Sequence, residues 1–159
     1  MNIKIICLGK VKEKSLIDLI DEYKKRISKY SNIEIVELAD EPIPSNPSEK
    51  EVLEIKRKEA EKIKSKIGAS DYVICLDQYG KQLDSEEFAE KVQSITVNGY
   101  STIDFVIGGT AGLDQELVSK ANFKMSFSKL TFPHQLIRLF LAEQIFRVFK
   151  IQNNEKYHW

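Results

Sequence analysis

Five short apolar runs punctuate the chain: 3–8, 33–38, 71–76, 103–107 and 123–127. A helical pattern follows each of them. Strands separated by helices do not pair as tight hairpins. Each crossover brings the chain back to begin the next strand in the same direction. The pattern therefore predicts a parallel, doubly wound α/β sheet. Asp71–Leu76 (DYVICL) is nearly all apolar, as a central strand covered on both faces requires.

The intervening segments carry helix signals of their own. From Ser15 to Tyr30 the apolar positions Leu16, Ile17, Ile20, Tyr23, Ile27 and Tyr30 fall on one stripe. Asp40–Pro47 holds three prolines, which lack an N–H to donate, and reads as a loop. Ser48 with Glu51 forms a capping-box pattern that opens a charged helix to about Ile67, with Val52, Ile55, Ile63 and Ile67 inward. Asp84 and Ser85 start another helix, which stops at Asn98-Gly99. A short one follows Asp114, and a long one runs from His134, after Pro133, to about Ile151. At 159 residues, with no repeat or linker, the chain is expected to form a single domain over 1–159.

No apolar run is long enough to span a membrane, and no basic-apolar leader opens the chain, so a cytoplasmic protein is expected. Cys7 and Cys75 lie inside strand-like runs without metal-type spacing. They read as small buried hydrophobes of a reducing compartment, and no metal is expected. The net charge is zero, which argues against indiscriminate nucleic-acid binding. The charge is not evenly spread. Residues 120–159 hold seven Lys or Arg and two Glu, a balance of +5, against −5 for residues 1–119. A surface facing a polyanion is one explanation, and a solvated helix face is the other.

Three segments stand at strand carboxyl ends, where open α/β sheets hold ligands: Leu76–Gly80, Gly108–Leu113 and Phe127–Phe132. Asp77–Gly80 reads as a turn. Gly108-Gly109 directly follows a buried strand, where the lack of a Cβ lets main chain approach a ligand. GGTAG lacks the ending of a phosphate loop and the spacing of a dinucleotide fingerprint, and by itself fits a structural tight turn equally well. In the third segment Phe127, Leu130 and Phe132 interleave with Ser128, Lys129 and Thr131. Apolar side chains in a loop fold back over something or into an interface. The expectation is a small-molecule cleft lined mostly by main-chain atoms.

The last helix has apolar residues on more than one face, Leu136, Ile137, Leu139, Phe140, Leu141, Ile145, Phe146, Val148 and Phe149. One stripe suffices for a helix lying on a sheet, so the surplus predicts a second partner, most simply the same helix in a symmetry mate. The tail ends Tyr157-His158-Trp159. Its aromatics could stack on a base and its histidine titrates near neutral pH; docking on the body or on a partner subunit is the other reading.

DFVIGGTAGL, FSKLTFPHQLIRLFLAEQIFR and the terminal YH resemble the RlmH family over the full length, including the MNIKIICLGKVKEK start. These are small SPOUT-class methyltransferases acting on pseudouridine in a helix of 23S ribosomal RNA. The resemblance implies a deep trefoil knot within about 103–159, a homodimer, and methyl transfer from S-adenosylmethionine to N3 of the base. It places cofactor contacts on Leu76, Gly108 and the run Phe127, Ser128, Lys129, Leu130, Thr131, Phe132. It also makes His158, Tyr157 and Arg138 the candidate catalytic residues. His158 is the best candidate to assist proton loss, reaching in from the other subunit. Arg138 is expected to face the site one turn into the helix and hold a phosphate or carboxylate. His134 has an orienting role in this reading, and Glu143 and Gln144 lace the dimer. Family members usually end Tyr-His followed by Lys or Arg, where this chain has Trp159. Two other readings are a SPOUT enzyme methylating a transfer-RNA ribose oxygen, and a non-catalytic, ribosome-associated RNA-binding dimer.

Overall fold

A computed structural model describes residues 1–157; His158 and Trp159 lie outside the described residues. The elements alternate along the chain: β1 (Asn2–Leu8), α1 (Lys14–Ile27), β2 (Asn32–Leu38), α2 (Glu49–Lys64), β3 (Tyr72–Gln82), α3 (Ser85–Val97), β4 (Thr102–Ile107), α4 (Gln115–Lys120), β5 (Phe123–Ser126) and α5 (His134–Gln152). The five strands form one sheet in the order β2-β1-β4-β3-β5. Every pairing in it is parallel, as the alternation predicts. All strand carboxyl ends consequently lie at one pole.

The period-two alternation of β1 divides the core. Ile3, Ile5 and Cys7 face a layer built by α1, α3 and α5, with Ile27, Phe88, Val92, Leu141 and Ile145. Ile6 and Leu8 face the opposite layer, with Ala60 and Ile63 of α2 and Leu117 and Val118 of α4. The predicted Ser48 capping box is formed, and α3 starts where Asp84 and Ser85 predict. The Ser48 side chain accepts from Glu51 N–H and Glu51 answers at the Ser48 N–H, and Asp84 and Glu87 repeat the arrangement on α3. Each such cap is worth about 1 kcal/mol. The two cysteines are free and buried. Burial pushes the Cys7 thiol up to about 11 and the Cys75 thiol up to about 12.

One local expectation is corrected. Asp77–Gly80 is not a turn closing a strand; it lies inside β3, which runs on to Gln82. The pairing of β3 with β5 shifts register between Leu76 and Lys81, so the strand bulges here. The bulge re-aims its side chains, and beyond it Lys81 and Gln82 pair again with Met125 and Ser126 of β5. Gly80 makes this possible: a Cβ there would lie 2.7 Å from the Lys124 carbonyl carbon and oxygen.

At the opposite pole one charged cluster is sunk into the sheet. Asp104 on β4 is fully buried opposite Lys4 of β1. Lys4 Nζ stands 3.2 Å from Asp104 Oδ1 and donates to Asp71 Oδ2 at 2.9 Å and to the Lys66 carbonyl at 2.7 Å. Burial, and then the neighbouring Asp71 carboxyl, raise the Asp104 pKa to about 7 from 3.8, with Lys4 acting against them. The folded state therefore holds a proton that the unfolded chain has lost. This contribution to stability is complete below about pH 4 and declines as pH rises to about 7. Asp104→Asn should remove that declining slope, so thermal unfolding midpoints between pH 5 and 7 should become flatter in the variant than in the parent protein.

Candidate active site

At the carboxyl pole a cavity of about 400 Å³ opens between three segments. Its walls are Leu76–Tyr79 of the β3 bulge, the glycine turn after β4, and the loop leading from β5 into α5. That volume falls in the range of small-molecule sites, roughly 300–1,000 Å³. The glycine turn is built by close main-chain approach. Gly112 has φ of 84°, in the left-handed region that favours glycine, and its N–H donates to the Gly109 carbonyl at 3.0 Å. A Cβ on Gly108 would stand 3.0 Å from Leu113 Cγ and 3.1 Å from the Gly112 carbonyl carbon, so even alanine requires Leu113 or the turn to give by a few tenths of an ångström.

The third wall is held by short polar links. Ser126 Oγ donates to the Ser128 carbonyl at 2.9 Å, and Ser128 Oγ accepts from Leu130 N–H at 3.0 Å. Gln78 Nε2 reaches across from the bulge and donates to the Lys129 carbonyl at 2.6 Å. Phe132 stands edge-on to Phe140 of α5 at 5.8 Å. Leu76, Gly108, Phe127, Ser128, Leu130, Thr131 and Phe132 all line the cavity. Lys129 is not among the lining residues; its carbonyl is taken up by Gln78 and its side chain is exposed.

His134 borders the cavity at the start of α5. Burial and then the Arg138 guanidinium lower its pKa, with Asp40 opposing, so it is a neutral imidazole at pH 7. Lys56 also borders the cavity; its ammonium lies 3.9 Å from the place a Cβ on Gly112 would occupy.

The catalytic candidates lie elsewhere. Arg138 does not face the cavity as expected. It is 1 % exposed and is turned toward the ends of β1 and β2, donating to the Leu8 carbonyl at 2.6 Å and to Glu37 Oε2 at 3.0 Å. Two of its N–H groups are spent on the fold, which gives it the geometry of a clamp. Tyr157 also lies apart from the cavity of its own chain. Its hydroxyl donates to Glu143 Oε1 at 3.0 Å, its ring meets Phe146 edge-on at 4.9 Å, and the Arg147 guanidinium stands 4.7 Å from the ring centroid. Burial, then hydrogen bonding with Tyr23 and Glu143, raises the phenol above its ordinary value. The expectation for His158 falls outside the described residues.

A second, larger recess of about 830 Å³ adjoins the first, sharing Met125, Ser126, Phe127 and Phe132 with it. Leu19 and Tyr23 of α1 and Leu139 and Phe140 of α5 line it. Leu19, Leu136 and Phe140 are exposed by 49, 38 and 42 %, so the surplus apolar face of α5 remains uncovered in one chain.

A parallel α/β sheet whose strand ends frame a glycine-lined pocket defines a class of folds that hold small molecules, and comparison with known proteins narrows it. A family model described as predicted SPOUT methyltransferase matches residues 1–158. The chain is 52 % identical, over 99 % of both chains, to the ribosomal RNA large subunit methyltransferase H of Leuconostoc mesenteroides, and 53 % identical, with the same coverage, to that of Clostridium novyi. Among solved structures, a probable methylase family protein from Haemophilus influenzae Rd KW20 shares the fold, with a TM-score of 0.54 and 16 % identity over 99 % of this chain and 70 % of that one. The chain belongs to the SPOUT methyltransferase family, in the group named ribosomal RNA large subunit methyltransferase H.

The clamp geometry of Arg138 makes a prediction of its own. Arg138→Met leaves the Leu8 carbonyl without its donor and Glu37 without its cation. It should cost about 2–3 kcal/mol in urea denaturation, near the low end for a broken buried pair because Glu37 can rehydrate.

Proposed function

We propose that this protein transfers a methyl group from S-adenosylmethionine to N3 of a pseudouridine in a helix of 23S ribosomal RNA in the cytoplasm, acting as a homodimer. The observation that carries the reading is the full-length identity of 52–53 % to enzymes named for methylating large-subunit ribosomal RNA. The cavity supports it through its residues. Gly108 and Gly112 admit main chain close to a ligand, Phe127, Leu130 and Phe132 supply apolar walls for a nucleoside, and the Gln78 link keeps the third wall in place. The family also implies a knotted path for about 103–159.

When bound, the sulfonium cofactor supplies an activated methyl carbon. The protein's share is then to bind, exclude water and align a nitrogen nucleophile within near-attack distance. The nucleophile is the imide N3, which has to lose its proton. We assign help with that step to the tail of a second subunit, His158 with Tyr157. Tyr157 is packed against α5 and away from the cavity of its own chain, so a tail acting on substrate acts across an interface. The uncovered apolar face of α1 and α5, continuous with the loop that walls the cavity, is the surface we assign to the second copy. Arg138 acts through position, holding the helix that carries the third wall. No helix of the described residues is long and apolar enough to cross a membrane.

Gly108→Val should abolish S-adenosylmethionine binding in calorimetry, because its branched side chain meets Leu113 and the Gly112 main chain; undiminished affinity removes Gly108 from the site. Deleting Tyr157–Trp159 should spare cofactor binding and dimerisation but eliminate tritiated methyl incorporation into ribosomes. Mixing the two inactive variants should restore part of the activity, since one site of each heterodimer then pairs an intact cavity with an intact tail. Transfer RNA should remain unlabelled in the same assay.

A further inference from the structure

Glu59 is a charged residue in an apolar position. It lies on α2 one turn from both Ile55 and Ile63, and all three are buried. Its exposure is 3 %. Oε2 accepts from the Glu41 N–H at 3.0 Å, whereas Oε1 is buried without any hydrogen-bond partner among the described residues. An apolar side chain would pack there at lower cost, because an unpaired buried carboxylate oxygen is expensive. The oxygen sits behind the glycine turn. A Cβ on Gly109 would lie 3.8 Å from Oε1, and Gly109 itself lines the cavity, so one residue without a side chain separates the carboxylate from the ligand space.

We propose that Glu59 is the counter-charge of the bound methyl donor, an anion placed one glycine behind the cavity that favours a cationic sulfonium over the neutral thioether left after transfer. The inference rests on the reading of the cavity as the S-adenosylmethionine site. The two nucleosides share adenine, ribose and amino-acid groups, so those contacts cancel in the ratio of their affinities. What remains is the methyl and one unit of positive charge. A carboxylate roughly 10 Å away, at an effective dielectric of about 20, makes that charge worth on the order of tenfold in affinity. The preference vanishes with transfer, which loosens the product while leaving the donor held.

The other charges around Glu59 fix the pH dependence. Burial raises its pKa against the hydrogen bond from the Glu41 N–H, which lowers it; the Asp40 and Glu41 charges of the neighbouring loop add to the rise and Lys62 on its own helix opposes it. Lys56 borders the cavity from α2, and His134 and Arg138 stand on α5. As pH rises through the titration of Glu59 the counter-charge develops and the donor gains over the product. Protonated His134 would repel the sulfonium in acid and produce a change of the same sign, so the two have to be separated by substitution.

The test is calorimetry of the intact protein with S-adenosylmethionine and with S-adenosylhomocysteine, from pH 5 to 7.5, in buffers of different ionisation enthalpy. At pH 7.5 the parent protein should favour the donor over the product about tenfold more than Glu59→Gln does, and its ratio should fall toward that of the variant as acid protonates Glu59. Glu59→Gln keeps an oxygen for the Glu41 N–H but lacks the charge; its ratio should be low and flat, while His134→Gln should retain the rise. A ratio that stays high in Glu59→Gln, or a rise that disappears only in His134→Gln, overturns the counter-charge. Glu59→Leu, which matches the apolar stripe of Ile55 and Ile63, serves if Glu59→Gln folds poorly, and a ratio as high as the parent's in it also overturns the proposal. Failure to bind either nucleoside would instead overturn the cavity reading, and the role of Glu59 with it.

Discussion

The contact on which the carboxyl pole depends is the buried guanidinium of Arg138. By donating to the Leu8 carbonyl and to Glu37 it ties α5 to the ends of two neighbouring strands. The loop 127–133 enters α5 directly, so that tie also fixes one wall of the cavity. A lysine could supply the charge, but it could not span a carbonyl and a carboxylate with a planar fork. Arginine's geometry, and not merely its charge, is what the pole requires.

From this anchor the organisation of the pole follows. Parallel pairing brings every strand carboxyl end to the same side, and close main-chain approach does the rest. Gly80 lets β5 press against the β3 bulge, Gly108 and Gly112 let the turn after β4 fold tightly, and Gln78 crosses between the walls. The pocket is thus shaped by missing side chains as much as by those present. Charged groups stand at its margin, with Lys56 at the rim and Glu59 behind it. That division suits a ligand with an apolar body and separated charges.

Much of this frame was legible in the residues themselves, because alternation at period two and helical stripes are local signals. The parallel sheet, the Ser48 capping box, the helix start at Asp84 and the three segments around the cavity all follow from such patterns. What escaped depends on distant partners. The Asp77–Gly80 bulge reads as a turn until β5 is known to pair beside it, since Gly80 is required by the Lys124 main chain and not by its own neighbours. Arg138 looks like a ligand-binding residue until its helix is docked on Leu8, 130 residues earlier. Glu59 left a signal that periodicity could have found, a carboxylate on the stripe of Ile55 and Ile63. The knotted path that the family implies has no counterpart in periodicity, because threading is a property of the whole path.

The two cysteines have a practical consequence that concerns neither ligand nor RNA. Cys7 lies in the layer of α1, α3 and α5, whereas Cys75 lies in the layer of α2 and α4. With thiols raised to about 11 and about 12, almost no reactive thiolate exists in the native protein near neutral pH. Alkylation therefore has to wait for each half of the interior to open. The chain carries a pair of built-in reporters, one per half, whose relative labelling rates distinguish concerted unravelling from piecemeal loosening.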